Sequence, residues 1–155
     1  MKITIYGAGY VGLVSGSCLA DVGNEVLCVD VNAERVAALN DGEIPIFEPG
    51  LSGVIKRNRE SGRLCFTTDA AEAVAHSELQ FVAVGTPPAA DGSADLKYVL
   101  EVARTIGRHM TEYRVVVNKS TVPVGTGAEV FRVIGESRPD AEFDVASNPE
   151  FLREG

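Results

Sequence analysis

The sequence is poor in features that would point to several common classes of binding partner. It has no tryptophan and three cysteines, and its 14 basic residues are outnumbered by 22 acidic ones, which gives a formal net charge of −8. A protein that binds a nucleic-acid backbone or an anionic membrane usually presents a basic face, so this charge argues against both partners. An anionic ligand must therefore be held locally, by backbone amides, helix N-termini and single side chains.

Cysteines and long apolar runs give no sign of secretion, metal binding or a membrane span. Cys18, Cys28 and Cys65 are an odd number at spacings that match no zinc or redox motif, which favours buried free thiols in a reducing compartment. The first residues lead directly into a β-branched run and glycines, without the apolar stretch of a signal peptide. No stretch is long enough to span a bilayer. We therefore expect a cytoplasmic protein.

Short apolar segments alternate with segments of helical periodicity along all 155 residues, a length typical of one domain. The predicted strands cover residues 2–6, 25–30, 64–67, 79–84, 114–118 and 143–146. The helices between them are predicted to end near residues 22, 40, 60, 75, 108 and 136, with Asn32, Asp69 and Asp95 as N-caps. Strands that are apolar on both faces belong in a parallel sheet covered on both sides. The sequence predicts a single α/β domain with a doubly wound, mostly parallel, Rossmann-like sheet.

The strongest local signal is the glycine turn at residues 7–12 (GAGYVG), a G-x-G-x-x-G that follows a predicted strand and opens a predicted helix. In such a turn Gly7 permits the tight bend, Gly9 lets the backbone approach a pyrophosphate, and Gly12 lets the helix pack on the strand. Asp30 ends the next strand at the required separation. Turn geometry alone would explain the glycines but not this coincidence, so the pattern predicts dinucleotide binding.

Asp30 also bears on which dinucleotide binds. Its carboxylate can accept hydrogen bonds from both adenosine ribose hydroxyls, and its charge repels a 2′-phosphate, which favours NAD over NADP. A turn acid at the end of a strand is the alternative interpretation. Arg35 could reach the same ribose from the following helix, although a solvated helix arginine is an equally good interpretation.

Three further segments, residues 84–88, 119–126 and 147–155, directly follow predicted strands. The carboxyl ends of the strands border the ligand crevice of an open parallel sheet, so these segments should share one edge. The candidate hydroxyls there belong to Thr86, Ser120 and Thr121. Serine and threonine cap helices and turns throughout proteins, and residue type alone favours that interpretation.

Two carboxylates, those of Glu150 and Glu154, follow Pro149 at a spacing of four residues. Acids are enriched in the solvated first turn of a helix, which is the simpler interpretation. Near a nicotinamide the same two groups could instead serve as general base and ligand. Their spacing does not decide between the two.

Taken together and in order, the strings GAGYVG, VGTP, KSTVPVGT and NPEFLRE resemble the UDP-glucose/GDP-mannose dehydrogenase family over essentially the whole chain. The last two strings are much more specific to the family than the glycine turn. Residues 91–99 are more similar to the UDP-glucose branch than to the GDP-mannose branch. The resemblance implies oxidation of the C6 alcohol of UDP-glucose to a carboxylate in two hydride transfers to NAD, through a cysteine-bound thiohemiacetal and thioester. It also implies that the full-length enzyme is a homo-oligomer.

The resemblance further assigns roles by motif position. The implied cofactor residues are Gly7, Gly9, Tyr10, Val11, Gly12, Asp30 and Arg35 on the adenosine and pyrophosphate side, and Thr86, Ser120, Thr121 and Glu154 on the nicotinamide side. The implied substrate-binding residues are Glu150, Phe151, Leu152, Arg153 and Glu154. Thr121, Glu150 and Glu154 are the candidate catalytic residues, Thr121 placing the hydrolytic water and Glu150 acting as general base.

The family's nucleophilic cysteine lies in later segments, and none of the three cysteines here matches it. We therefore expect residues 1–155 to be the dinucleotide-binding domain of a truncated chain, inactive alone, without the family's central helical and sugar-nucleotide domains. Three alternatives stay open at this point. They are a GDP-mannose 6-dehydrogenase, a Rossmann hydroxyacid or hydroxyacyl dehydrogenase, and a non-enzymatic NAD-responsive binding module.

Overall fold

The computed structural model describes residues 1–89 and 92–150, within which six strands alternate with six helices. The strands are β1 (Lys2–Tyr6), β2 (Glu25–Val29), β3 (Leu64–Thr67), β4 (Leu79–Val82), β5 (Arg114–Asn118) and β6 (Phe143–Ser147). The helices are α1 (Tyr10–Asp21), α2 (Ala33–Asp41), α3 (Leu51–Glu60), α4 (Ala70–His76), α5 (Lys97–His109) and α6 (Thr126–Ser137). Within the described ranges, no helix has the length and apolarity that crossing a bilayer requires.

The strands form one parallel sheet in the order β3-β2-β1-β4-β5-β6. The chain moves outward from β1 to β3, crosses back to β4 beside β1, and then moves outward in the other direction to β6. The strand order therefore reverses between β1 and β4, and a ligand crevice is expected beyond the carboxyl ends of those two strands. The predicted doubly wound α/β fold is confirmed.

Helix caps explain several element boundaries. The Asn32 side chain accepts a hydrogen bond from the Arg35 backbone N–H (2.9 Å), and Asp69 accepts two at the start of α4, so both predicted caps are confirmed. Asp95 was predicted to cap α5, but the N-cap residue is Leu96. The Asp95 carboxylate instead accepts a bond from the Lys97 N–H (2.8 Å), because the chain turns one residue later than predicted.

The core consists of two apolar layers, one on each face of the sheet. On one face α1 and α3 pack over β1, β2 and β3 through side chains such as Leu13, Ile55 and Phe66. On the other face α5 and α6 pack over β4 and β5 through side chains such as Ile106 and Ile134. Both layers leave the carboxyl ends of the strands free for a site.

The three thiols are free, as predicted, but only Cys28 is buried. Its side chain lies under Gly16 of α1, where an added Cβ would come within 2.8 Å of the sulfur, and burial raises the pKa of the thiol to about 12. The prediction of burial was wrong for Cys18 and Cys65, which are exposed. Cys18 lies on the outer side of α1. Cys65 alternates with the core residues Leu64 and Phe66 and so faces the other side of the edge strand.

The C-terminal ends of α1 and α3 are joined by a bidentate ion pair. Arg57 donates from Nε and Nη2 to the two carboxylate oxygens of Asp21 (2.7 and 2.6 Å), and the Asn58 amide donates to the same carboxylate (3.0 Å). These hydrogen bonds, led by the one from Arg57, lower the pKa of Asp21 to about 2. A carboxyl whose pKa is depressed in the folded state stabilises the fold above its ordinary pKa and loses that contribution as the pH falls through the depressed value.

We predict that the free energy of unfolding of Asp21→Asn depends less on pH under acid conditions than that of the parent chain. In the parent chain, the free energy of unfolding should fall between about pH 4 and pH 2 as Asp21 is protonated, whereas the variant lacks this component. Urea titrations at several pH values would measure it. The matched control is Glu60→Gln, an exposed acid on α3 that forms no ion pair within the described residues. An Asp21→Asn profile parallel to that of the parent would contradict the assignment.

Candidate functional site

The glycine turn is held between the ends of three neighbouring strands. Gly7 has a φ of 102°, and its N–H donates to the carbonyl of Val29 at 2.8 Å. A Cβ on Gly7 would lie 2.7 Å from the carbonyl oxygen of Ala83 just beyond β4, and a Cβ on Gly12 would lie 1.8 Å from the carbonyl oxygen of Gly7. Real Cβ atoms do not approach backbone this closely, so both positions require glycine for the fold itself.

Gly9 differs from its two neighbours in the motif. A Cβ there would meet no atom within 4 Å, and its φ of −77° is open to any residue. The packing of the chain therefore does not explain why this position is glycine. Gly9 is the N-cap of α1, which has no side-chain cap and no acid in its first turn. The open space over Gly9 lies at the positive end of α1, and backbone N–H groups at such a helix end can bind an anion.

Asp30 connects the glycine turn to the end of β2. One carboxylate oxygen accepts the Ala8 N–H (2.8 Å) and a hydrogen bond from Arg35 Nη1 (3.1 Å), and the other accepts the Asn32 N–H (2.9 Å). The side chain is only 8% exposed. Asp30 is thus a turn acid, as one interpretation of the sequence held. The same bonds present its carboxylate at a fixed place on the crevice edge, beside the Arg35 guanidinium.

A cleft of about 310 Å³ opens at the point where the strand order reverses. Its walls bring together the glycine turn, the end of β2 and the predicted pair Asp30 and Arg35. Val31, 97% exposed, lies at its rim. On the floor is Tyr6, whose hydroxyl donates to the Gln80 side chain (2.8 Å) and whose pKa is raised by burial.

The wall of the cleft opposite the glycine turn comes from α5, which was not predicted from the sequence to contribute. Its lining residues are Tyr98, Glu101, Val102 and Thr105. The apolar stripe of α5 packs on the sheet, so its flank and first turn face the cleft. No sequence pattern marked these residues, because their role depends on where α5 lies relative to β1 and β2.

The predicted hydroxyl residues meet at the carboxyl ends of β4 and β5. The Ser120 hydroxyl is buried and donates to the carbonyl of Val84 (2.7 Å), so it links two strand ends. Thr121 is exposed and Thr86 is half-buried, and the Thr86 hydroxyl donates to the Thr121 carbonyl (3.0 Å). None of these hydroxyls caps a helix in the described residues. They hold adjacent loops together along the crevice edge.

The segment after β6 comes to the same edge. The Thr121 hydroxyl lies 3.5 Å from the Glu150 carbonyl, and Lys119 Nζ donates to the Asn148 side chain (3.3 Å). The structure therefore brings Glu150 next to Thr121, as the shared edge predicted. The other predicted residues of this segment lie outside the described residues: Phe151, Leu152, Arg153 and Glu154.

Tyr10 has a partner that the sequence did not reveal. Its hydroxyl donates to the Glu48 carboxylate, which belongs to the loop between α2 and α3. This loop returns along the sheet so that α3 starts beside α1, which brings Glu48 to the glycine turn. Val11, the next residue of α1, packs partly buried against the core. Only its backbone N–H, in the uncapped first turn, is available to a ligand.

Asn118, at the end of β5, is also unexpected. Its carboxamide is buried, and neither its nitrogen nor its oxygen has a hydrogen-bond partner within the described residues. Nothing in the structure explains why this carboxamide is buried without a partner.

No group of three or more metal-ligating side chains is found in residues 1–89 and 92–150.

Four features together define a dinucleotide-binding domain of the Rossmann class. They are the strand order, the glycine turn against the end of β4, the buried acid after β2 and the cleft where the strand order reverses. The comparison with known sequences then gives the family. Residues 1–155 match the profile described as "UDP-glucose/GDP-mannose dehydrogenase family, NAD binding domain". The chain belongs to this family, and it is the NAD-binding domain that it matches.

Individual relatives agree with this assignment. The chain is 58% identical over 156 residues to UDP-glucose 6-dehydrogenase of Rhizobium meliloti (strain 1021), covering 100% of the chain and 36% of that relative. The structure of a UDP-glucose dehydrogenase from Pyrobaculum islandicum superimposes with a TM-score of 0.94 at 47% identity, covering 99% of this chain and 37% of that one. A ternary complex of GDP-mannose dehydrogenase from Pseudomonas aeruginosa gives 0.94 at 42% identity, with the same coverage.

The chain thus spans little more than a third of the length of the relatives that it matches. The predicted family, fold class and cofactor, NAD, are confirmed. The roles of individual residues stay predictions, as does the activity of the whole protein.

We predict that adding a methyl group destabilises the fold much more at Gly12 than at Gly9. Gly12→Ala should lower the free energy of unfolding by about 2 kcal/mol or more, because the added Cβ overlaps the Gly7 carbonyl. Gly9→Ala should change it by no more than about 1 kcal/mol, because the added Cβ meets open space. Urea or thermal unfolding would measure both. Equal losses in the two variants would contradict the contrast.

Proposed function

We propose that the chain is the NAD-binding portion of a nucleotide-sugar dehydrogenase that oxidises UDP-glucose to UDP-glucuronate in two NAD-dependent hydride transfers. The observation that carries the proposal is the cleft in which Asp30 is fixed beside an uncapped helix N-terminus. The 58% identity to a UDP-glucose 6-dehydrogenase supports the choice of substrate. In this proposal residues 1–155 are the dinucleotide-binding domain, and the sugar nucleotide is bound largely by other parts of a longer enzyme.

The adenosine half of NAD would lie in the cleft between the glycine turn and α5. The pyrophosphate would rest over Gly9 and accept hydrogen bonds from the first N–H groups of α1, including those of Val11 and Gly12. Asp30 would accept the adenosine ribose hydroxyls, and Arg35, already on the same carboxylate, would border that ribose. Tyr10 would form the outer side of the turn while its hydroxyl stays with Glu48.

The nicotinamide half would lie at the ends of β4, β5 and β6, beside Thr86 and Thr121, with Ser120 holding the edge beneath them. When bound, NAD supplies the hydride acceptor for each oxidation. Glu150 is suited to take a proton from the hydrolytic water, and Thr121 to orient that water, because the two residues meet at this edge. Glu154 and residues 151–153 would contact the cofactor and the sugar nucleotide in the same region.

The covalent step needs a thiolate that this chain does not supply at the crevice. None of its three cysteines lines the cleft, and Cys28 is buried with a raised pKa, which opposes thiolate formation. We therefore place the nucleophilic cysteine outside these 155 residues. Assembly of the complete enzyme as a homo-oligomer and its cytoplasmic location stay predictions.

A GDP-mannose 6-dehydrogenase is the second candidate. Two observations support it: the TM-score of 0.94 to GDP-mannose dehydrogenase from Pseudomonas aeruginosa and the 42% identity to a GDP-mannose 6-dehydrogenase. The UDP-glucose enzymes of Rhizobium meliloti and Bacillus subtilis are more similar, at 58% and 50%. UDP-glucose is therefore the substrate that we propose.

Calorimetric titration of the chain with NAD tests the proposal directly. Heat of binding is expected with NAD. No NADH should form when UDP-glucose is added, because in this proposal the sugar nucleotide is bound largely by other parts of the enzyme, and no uronate should form, because the nucleophilic thiolate also lies outside these residues. Absence of binding at millimolar NAD would overturn the assignment of the site. Formation of UDP-glucuronate by the purified chain would overturn the placement of the nucleophile outside it.

We predict that Asp30→Ala weakens NAD binding at least roughly tenfold and brings the affinities for NADP and NAD closer together, because the ribose acceptor is lost and Arg35 is released toward a 2′-phosphate. Titrations with both cofactors would measure this. The ratio of the two affinities does not depend on how much of the variant is folded. Asp41→Ala removes the same charge from the exposed end of α2 and serves as the control. An unchanged ratio would show that Asp30 is only a turn residue.

A further inference from the structure

The contacts between the ends of β5 and β6 point to a role for Lys119, a residue to which the proposed function assigns none. Several contacts among the described residues connect the two strand ends beyond the sheet. The Asn148 N–H donates to the Asn118 carbonyl (2.9 Å), Lys119 Nζ donates to Asn148 Oδ1 (3.3 Å), and the Thr121 hydroxyl reaches the Glu150 carbonyl (3.5 Å). The last contact is at the limit of hydrogen-bond length and would restrain Glu150 only weakly.

Asn148 thus makes two contacts with residues at the end of β5. Its N–H donates to the end of β5, and its side chain accepts an exposed hydrogen bond from the ammonium group of Lys119, a residue whose side chain as a whole is half-buried. A long lysine side chain loses considerable rotamer freedom when it is held in one contact, so its retention there requires a compensating interaction. The bond to Asn148 is charge-assisted, which makes it stronger than one between neutral groups.

Pro149 limits the backbone conformations that connect Asn148 to Glu150. The proline ring fixes the φ angle of residue 149 and restricts Asn148 to extended conformations. Glu150 follows at once, so its direction from the edge depends on how Asn148 is held.

We propose that Lys119 is a positioning residue that, through Asn148, holds the Glu150 segment against Thr121 on the nicotinamide side of the crevice. The inference rests on the proposed function, since it concerns the same site. It assigns Lys119 no contact with the adenosine half of the cofactor. Loss of the ammonium group should therefore weaken binding of the nicotinamide half of NAD and leave binding of the adenosine half unchanged.

The test compares the affinities of the chain for NAD and for ADP-ribose, which has the adenosine and pyrophosphate groups but no nicotinamide. Lys119→Met should lower the affinity for NAD by roughly tenfold and leave that for ADP-ribose unchanged. Lys119→Arg, which keeps a cationic donor, should restore most of the NAD affinity. Lys56→Met makes the same charge change on the exposed face of α3 and should alter neither affinity.

Asn148→Ala supplies the second variant. If Lys119 acts through Asn148, the Lys119→Met and Asn148→Ala effects on the ratio of the two affinities should not add in the double variant. A fully additive double variant, or a Lys119→Met chain with the parental ratio, would overturn the inference. A parent chain that binds neither ligand would overturn the proposed function instead. If Lys119 only stabilised the fold, Lys119→Met would lower the affinities for NAD and ADP-ribose together and leave their ratio unchanged.

Discussion

The close approach of the glycine turn to the strands beside it is the constraint on which the rest of the site depends. Gly7 and Gly12 have no room for a Cβ, because the carbonyls of Ala83 and Gly7 occupy that space. The second of these contacts brings the first turn of α1 down onto the end of β1, where Gly12 also faces Ile5. As a result, the positive end of the helix opens into the crevice, and the Ala8 N–H reaches Asp30.

Charge in the site is arranged locally, on a chain whose net charge of −8 would repel an anion at long range. An uncapped helix N-terminus and one arginine face the cleft. The carboxylate between them already accepts three hydrogen bonds, so it is held in one orientation before any ligand arrives. Further along the edge, the strand ends are joined by hydroxyl-to-carbonyl bonds and by the Lys119–Asn148 contact. The two halves of the crevice are thus built from different interactions.

Much of this organisation could be predicted because it follows from local pattern. The alternation of apolar runs and helical periodicity predicted all six strands, and β1, β3 and β5 have the predicted bounds. The errors have local causes. The start of α5 depends on one turn after Asp95, and the exposure of Cys18 and Cys65 depends on which side of a helix or an edge strand meets the core. The wall formed by α5 and the Tyr10–Glu48 contact could not be predicted, because each joins residues far apart in sequence.

The sequence by itself determined the parallel α/β architecture, the glycine turn, the acid that follows β2 and the resemblance to one dehydrogenase family, since each is written in short-range spacing. Only the tertiary structure decided what these features do together. It distinguished Gly9, whose surroundings are open, from Gly7 and Gly12, whose surroundings are filled. It also brought Lys119, Thr121, Asn148 and Glu150 to one edge. The physical reason is that strand order and register, which depend on packing of the whole chain, set the distances across the crevice.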